Sequence, residues 1–273
     1  MSTVQGMDRT QEVRSSPQHD DAPTVYLAHL AASPAQRTLD NMGKVEPCSL
    51  LVSFAYIKDW EAVRERTPCR TWMLDSGAFT VQSTGKAIRL QEYIEYAKQR
   101  MADDPRLRDI ASLDVIGDHM ATMRNTDAMW EAGIPAMPCF HAGTPWRLLH
   151  DLKRFPKIAI GGAARKPYRQ RDEFAREVFS RVWPARVHGF GYCAQRLVLS
   201  YPWHSVDASS WNNGIRFAQW WSMASRGALK GGRTGRVEDA GAHLHCEIEH
   251  FARLERAARS KWRRTWLQSA QSC

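Results

Sequence analysis

No Cys-x-x-Cys pair occurs among the six cysteines, Cys48, Cys69, Cys139, Cys193, Cys246 and Cys273. That scatter excludes a disulfide scaffold, which would be shorter and denser in cysteine, and favours reduced thiols. No apolar run nears the roughly 20 residues that a membrane-spanning helix needs. The first 24 residues are polar and lack the apolar core of a secretory signal. A soluble cytoplasmic protein with no membrane partner is expected. No Gly-x-Gly-x-x-Gly follows the first apolar segment, which disfavours a dinucleotide-binding sheet. No Gly-x-x-x-x-Gly-Lys-[Ser/Thr] is present, which argues against nucleotide hydrolysis.

What is present is ordinary globular material. The 273 residues are 43% hydrophobic and 25% charged, enough chain for one large core or two modest ones. Lys and Arg number 38 against 29 Asp and Glu, a net charge of +9. The excess is uneven: residues 1–24 and 25–139 each carry −2, whereas 140–190 carry +7, 191–223 carry +1 and 224–273 carry +5. Two late basic blocks suit a polyanionic partner, although a solvated basic surface would have the same composition.

Residues 1–23 show no periodicity and read as a disordered tail. Eight short apolar segments follow, at 24–30, 49–57, 70–75, 109–115, 135–141, 157–162, 186–192 and 204–208. Helix-like patterns fill gaps between them at 89–101, 119–132, 146–155 and 173–183, with apolar residues recurring every three or four positions. Strands alternating with helices argue a parallel sheet, and eight of them are the number that closes a (β/α)8 barrel. The expected architecture is an α/β TIM barrel over 24–223, followed by a basic helical extension over 224–273.

Chemistry in such a barrel lies at the C-terminal ends of the strands. The segment ends read Asp75-Ser76-Gly77, Leu113-Asp114, Phe140-His141, Gly161-Gly162, His188-Gly189-Phe190-Gly191 and Val206-Asp207. Three carboxylates, two imidazoles and several glycines would thus ring one mouth. Each alone has a bland reading, since an Asp after a strand is commonly a helix cap and a glycine a turn former. Paired carboxylates at one mouth can instead divide into nucleophile and proton carrier, as in retaining glycosidases.

These residues, in this order, resemble the tRNA-guanine transglycosylase superfamily, including its shorter DNA-directed 7-deazaguanine transglycosylases. The family's Asp-Ser-Gly-Gly-[Phe/Tyr] motif stands here as Asp75-Ser76-Gly77-Ala78-Phe79. The resemblance covers roughly residues 70–210 and implies a role for each matching position. Asp207 would attack the anomeric carbon of a guanosine nucleotide, and Asp75 would serve as acid and base. Asp114 would accept hydrogen bonds from the purine, and Phe79 would stack on it, with His188 as an opposite wall. Ser76, Gly77, His141, Gly161, Gly162 and Gly189 would line the pocket. The implied partners are nucleic acid and a free 7-deazaguanine base such as preQ0, with no cofactor and with a homodimer left open.

The sequence departs from the family at three places. Ala78 replaces the second glycine of the motif, and His141 stands where the family commonly has Gln. The zinc motif of the tRNA enzymes, Cys-x-Cys-x-x-Cys with a distant His, has no match after Asp207. His243, His245, Cys246 and His250 cluster without a standard zinc spacing and read as ordinary helix residues. The missing zinc motif and the lack of an RNA-binding extension favour DNA over tRNA. The competing readings are exchange on tRNA, a catalytically silent nucleic-acid-binding barrel, and a metal-dependent barrel hydrolase. The last would want His-x-His after the first strand, where only His29 stands.

Overall fold

A computed structural model describes residues 22–29, 33–41, 47–85, 87–212, 219–223, 229–233 and 240–270. The expected N-terminal tail through Asp21, and Cys273, lie outside these residues.

Every one of the eight apolar segments overlaps a strand. They are β1 (Thr24–Ala28), β2 (Cys48–Ser53), β3 (Cys69–Asp75), β4 (Leu107–Ile110), β5 (Cys139–His141), β6 (Lys157–Gly161), β7 (Arg186–Gly189) and β8 (Ser205–Ala208). The sheet order is β4-β3-β2-β1-β8-β7-β6-β5, and the named strand pairs within it are parallel. Its two ends meet through a parallel bridge between Ala111 and Met137. There the Met137 N–H donates to the Ile110 carbonyl and the Ser112 N–H to the Met137 carbonyl, each at 2.8 Å. The sheet therefore closes, and the fold is a (β/α)8 barrel.

The helices are α1 (Pro34–Asn41), α2 (Ile57–Val63), α3 (Ala78–Thr84), α4 (Leu90–Asp103), α5 (His119–Glu131), α6 (Tyr168–Val182), α7 (Gln195–Ser200) and α8 (Ala240–Ala270). Two sequence expectations need correction. The segment at 146–155 is a 3-10 helix, Trp146–Arg154, held between Pro145 and Pro156 in a connection of only that length. Strand β4 ends at Ile110 rather than near Asp114, because beyond it the ladder shrinks to the single Ala111–Met137 bridge. After β8 the chain forms an antiparallel hairpin, β9 (Gln219–Met223) with β10 (Leu229–Arg233), which straddles residue 223. Helix α8 then packs against α1, α7 and β1, the position of the eighth helix of the ring.

The core has two shells. Outward-facing strand residues such as Leu50, Trp72, Leu74, Ile158, Ile160 and Val206 pack under the helices. Inward-facing Tyr26, Leu51, Met73, Ala111 and Met137 fill the barrel, with Phe190 against them, as the period-two alternation of strands requires. Below that plug lies a buried polar layer. Asp109 accepts hydrogen bonds from Tyr26 Oη at 2.8 Å and Lys157 Nζ at 2.7 Å, and His204 Nε2 lies 3.1 Å away. Burial alone would raise the Asp109 pKa, but His204 and Lys157 outweigh it and hold the carboxyl well below the usual range.

Helix α8 is fastened to the N-terminal ends of the strands. Buried Glu255 accepts from the Val25 backbone N–H at 2.8 Å, from Arg70 at 2.6 Å and from Arg259 at 3.0 Å. Arg259 also donates to the Pro23 carbonyl, and Trp266 packs at a tilt against Trp183 with ring centroids 5.2 Å apart. Among the described residues, no helix is long and apolar enough to cross a membrane.

Candidate active site

Above the apolar plug, the strand ends deliver polar side chains to the opposite, C-terminal mouth. Asp75 ends β3 and Asp207 lies in β8, both on the inward face. At Gly77 the chain turns sharply into α3, with φ of 77°. A Cβ there would sit 2.9 Å from Ser53 Oγ and 3.0 Å from Ala55 Cβ, so both conformation and space demand glycine. The turn aims the Gly77 N–H at Asp75 Oδ2, 3.0 Å away.

Asp75 and Asp207 share one electrostatic environment yet are treated differently. Burial raises the Asp75 pKa, the Gly77 N–H offsets part of that, and the neighbouring Asp207 and Asp114 raise it further, to about 6. Asp207 accepts a hydrogen bond from the Gly191 N–H at 2.7 Å, and His188 Nε2 stands 3.6 Å from the same oxygen. His188 in turn shares a 2.8 Å hydrogen bond with Ser205 through Nδ1, which sets the ring so that Nε2 faces the carboxylate. Asp75 is thus poised to carry a proton near neutral pH, and Asp207 is oriented by the Gly191 N–H.

Asp114 and His141 form a second unit on the same mouth. His141 Nε2 lies 2.5 Å from Asp114 Oδ2, and Thr122 Oγ1 donates to Asp114 Oδ1 at 2.8 Å. Beside them opens a cavity of about 610 Å³, lined by His119, Thr122, Cys139, His141, Gly162 and the loops after β4 and β5. A Cβ on Gly161 would approach Cys139 Sγ to 3.1 Å and His141 Cε1 to 3.2 Å. Glycine at 161 therefore keeps this wall open.

One expected role changes. His188 is wholly buried beneath Asp207, so it cannot form an exposed stacking wall opposite Phe79. A Cβ on Gly189 would point outward, 2.6 Å from Trp203 Cζ3 and 2.8 Å from Tyr192 Cβ, so packing behind the strand requires glycine there. Ser76 is likewise buried. Phe79, by contrast, is 61% exposed at the rim, with the Arg165 guanidinium 5.3 Å over its ring. Residues after β3 and β6, on different sides of the mouth, meet in that contact.

The basic blocks separate in space. Arg165, Lys166 and Arg169 are exposed after β6 on the mouth side. Arg263 and Arg264 are exposed on α8, whose end is fastened near Pro23 and Trp183 at the opposite face. Of the helix cluster, His245 and Cys246 are exposed and His250 is buried; the His243 side chain lies outside the described residues. His29 is buried edge-on against Trp60, with ring centroids 5.3 Å apart. Sequence reasoning missed Cys139 and His119, although Cys139 stands two residues before His141 and so projects to the same face.

No family model and no curated protein matches the sequence. Among solved structures, the chain is similar to a provisionally assigned fructose-1,6-biphosphate aldolase from Coccidioides immitis. The identity is 15% and the TM-score 0.45, over 92% of this chain and 91% of that one. It is also similar to the carboxyl transferase domain of Rhizobium etli pyruvate carboxylase, at 10% identity and TM-score 0.41, over 88% of this chain and 49% of that one. Likenesses so distant carry no chemistry, and the barrel assignment rests on strand order and closure.

Proposed function

We propose that this barrel is a base-exchanging transglycosylase that replaces guanine in DNA with a 7-deazaguanine. The observation that carries the reading is the pair of unequal carboxylates at one mouth: Asp75, with a pKa of about 6, and Asp207, fixed by the Gly191 N–H.

In this reading Asp207 attacks C1′ as the bond to the purine nitrogen breaks, and protonated Asp75 gives its proton to the departing guanine. The product is a glycosyl ester on Asp207. Asp75, now ionised, takes the proton from the ring nitrogen of the incoming base as that nitrogen attacks C1′, and Asp207 leaves as a carboxylate. Two displacements retain the sugar's configuration without ATP. Asp114 offers an acceptor to the purine, and the open wall at Gly161 and Gly162 admits a flat ring. A duplex base must leave its stack to reach this depth, at a cost of a few kcal/mol. The exposed Phe79 and the basic loop after β6 stand where a displaced strand would pass.

The test is incubation with labelled guanine and either DNA or tRNA. Label in DNA, retained through denaturation, supports the proposal. Label in tRNA alone overturns the choice of polymer and keeps the chemistry, and label in neither overturns the activity.

A further inference from the structure

Among the described residues, a single group of three metal-capable side chains brings its donor atoms together: Asp114, Cys139 and His141, all within 4.8 Å of one another. We propose that these three residues bind a zinc-like divalent cation whose open coordination position faces the cavity of about 610 Å³. The proposal rests on the geometry of β4 and β5, not on base exchange. It makes Asp114 and His141 ligands rather than purine contacts whenever the cation is bound.

Backbone register builds the site. Cys139 and His141 alternate on β5, so both project into the barrel, and the Ala111–Met137 bridge brings the loop bearing Asp114 alongside. Thiolate, imidazole and carboxylate are the zinc donor types, and three protein ligands with one open position is the arrangement of catalytic zinc sites. A thiolate disfavours magnesium and calcium, which prefer oxygen. A Cβ at residue 161 would intrude to 3.1 Å from Cys139 Sγ and 3.3 Å from His141 Nδ1, so Gly161 keeps the space beside both donors clear. Thr122 holds one Asp114 oxygen at 2.8 Å and fixes its direction, while the other, 2.5 Å from His141 Nε2, would exchange that hydrogen bond for the cation.

A second observation points to the same place. His119 lines this cavity, and its Nε2 is buried without a hydrogen-bond partner. That unpartnered nitrogen stands on the wall that the open coordination position would face.

The experiment is titration of metal-free full-length protein with cobalt(II), then zinc. The expected result is about one equivalent bound, with the thiolate-to-cobalt charge-transfer band and tetrahedral d–d bands, both erased by zinc. Cys139→Ser should lose the charge-transfer band, whereas Cys246→Ser, altered on the exposed surface of α8, should keep it. No band in the wild type, or a band that survives Cys139→Ser, overturns the site. If Cys139→Ser does not fold, alkylation of the wild type decides: zinc should slow modification of Cys139 and leave Cys246 unchanged, and equal rates at Cys139 overturn the proposal. Base exchange is measured on the same samples, so its absence beside intact cobalt binding counts against the proposed function alone.

Discussion

Replacing Asp75 with Asn should raise stability while lowering activity, and the size of the gain should depend on pH. Folding carries this carboxyl from 3.8 to about 6, chiefly through burial. Each pKa unit is worth about 1.36 kcal/mol, so the ionised group costs the fold about 3 kcal/mol once pH exceeds its folded pKa. The sign follows from proton counts. Between the two pKa values the native state binds more protons than the unfolded chain, so stability falls as pH rises. The cost is about 0.5 kcal/mol near pH 4, about 1.6 near pH 5 and about 3 near pH 8. Asn keeps the shape and can still accept from the Gly77 N–H, yet it has no charge to bury. Urea denaturation of both proteins at several pH values should therefore give curves that diverge upward with pH. The same substitution should slow base exchange by about 10²–10⁴, the usual scale for losing an acid or base. A stability difference independent of pH would refute the raised pKa. A variant with undiminished exchange would refute the proton-carrier role.

Asp207→Asn should give no covalent adduct with DNA on a denaturing gel, because an amide is too weak a nucleophile; an adduct from it, with none from Asp75→Asn, would reverse the two roles. Lys157→Met should cost about 3 kcal/mol in chemical denaturation, since it removes one cation from a buried carboxylate. A loss below about 1 kcal/mol would show that Tyr26 and His204 suffice to hold Asp109. Gly189→Ala should lower stability by about 1–3 kcal/mol, as its methyl would press on Trp203 and Tyr192; an unchanged Tm would contradict the close packing. Neutralising Arg165 and Lys166 should flatten the salt dependence of DNA binding, whereas neutralising Arg263 and Arg264 should not, because only the first pair stands at the mouth. The opposite outcome would move the polymer to the far face.

The barrel was legible because parallel strands, covered on both faces, write themselves as short apolar runs. KIAIGG held β6 nearly to its bounds, whereas SLLVSFAYI overran β2 into the 3-10 turn at Phe54–Tyr56. The hairpin was not legible: residues 209–273 read as helix and extension, and QWWSM pairs with LKGGR without the alternation that marks a half-buried strand. Strand-end reading brought Asp75, Asp114, His141 and Asp207 to one mouth, since a parallel barrel puts every strand end on one side. It could not give His188 its place under Asp207, because Phe190 and Gly191 close over it only after the chain turns. Nor could it pair Cys139 with Asp114, which are 25 positions apart in the sequence and meet only through barrel closure at Ala111 and Met137. The polar layer around Asp109 was equally hidden: an Asp at the head of an apolar run looks like a solvated strand start, and its burial depends on strands that come later.

The hydrogen bond from Val25 to Glu255 joins residues 230 positions apart, and it has a kinetic meaning. Strand β1 pairs with β2 and with β8, so the first strand can find one neighbour early in synthesis but must wait for the other. At about 5–20 residues per second, roughly 12–46 seconds separate the emergence of β1 from that of the carboxylate that accepts the Val25 N–H. During that interval β1 is an exposed edge with Leu27 and Tyr26 uncovered, the kind of surface that recruits other nascent chains. Loop-closure entropy makes the final joining slow as well, because a chain loop of this length must be closed before any contact rewards it. Expression at lower temperature, or with chaperones that shelter open strand edges, should raise soluble yield, and Glu255→Gln should aggregate during synthesis more than its loss of equilibrium stability would suggest.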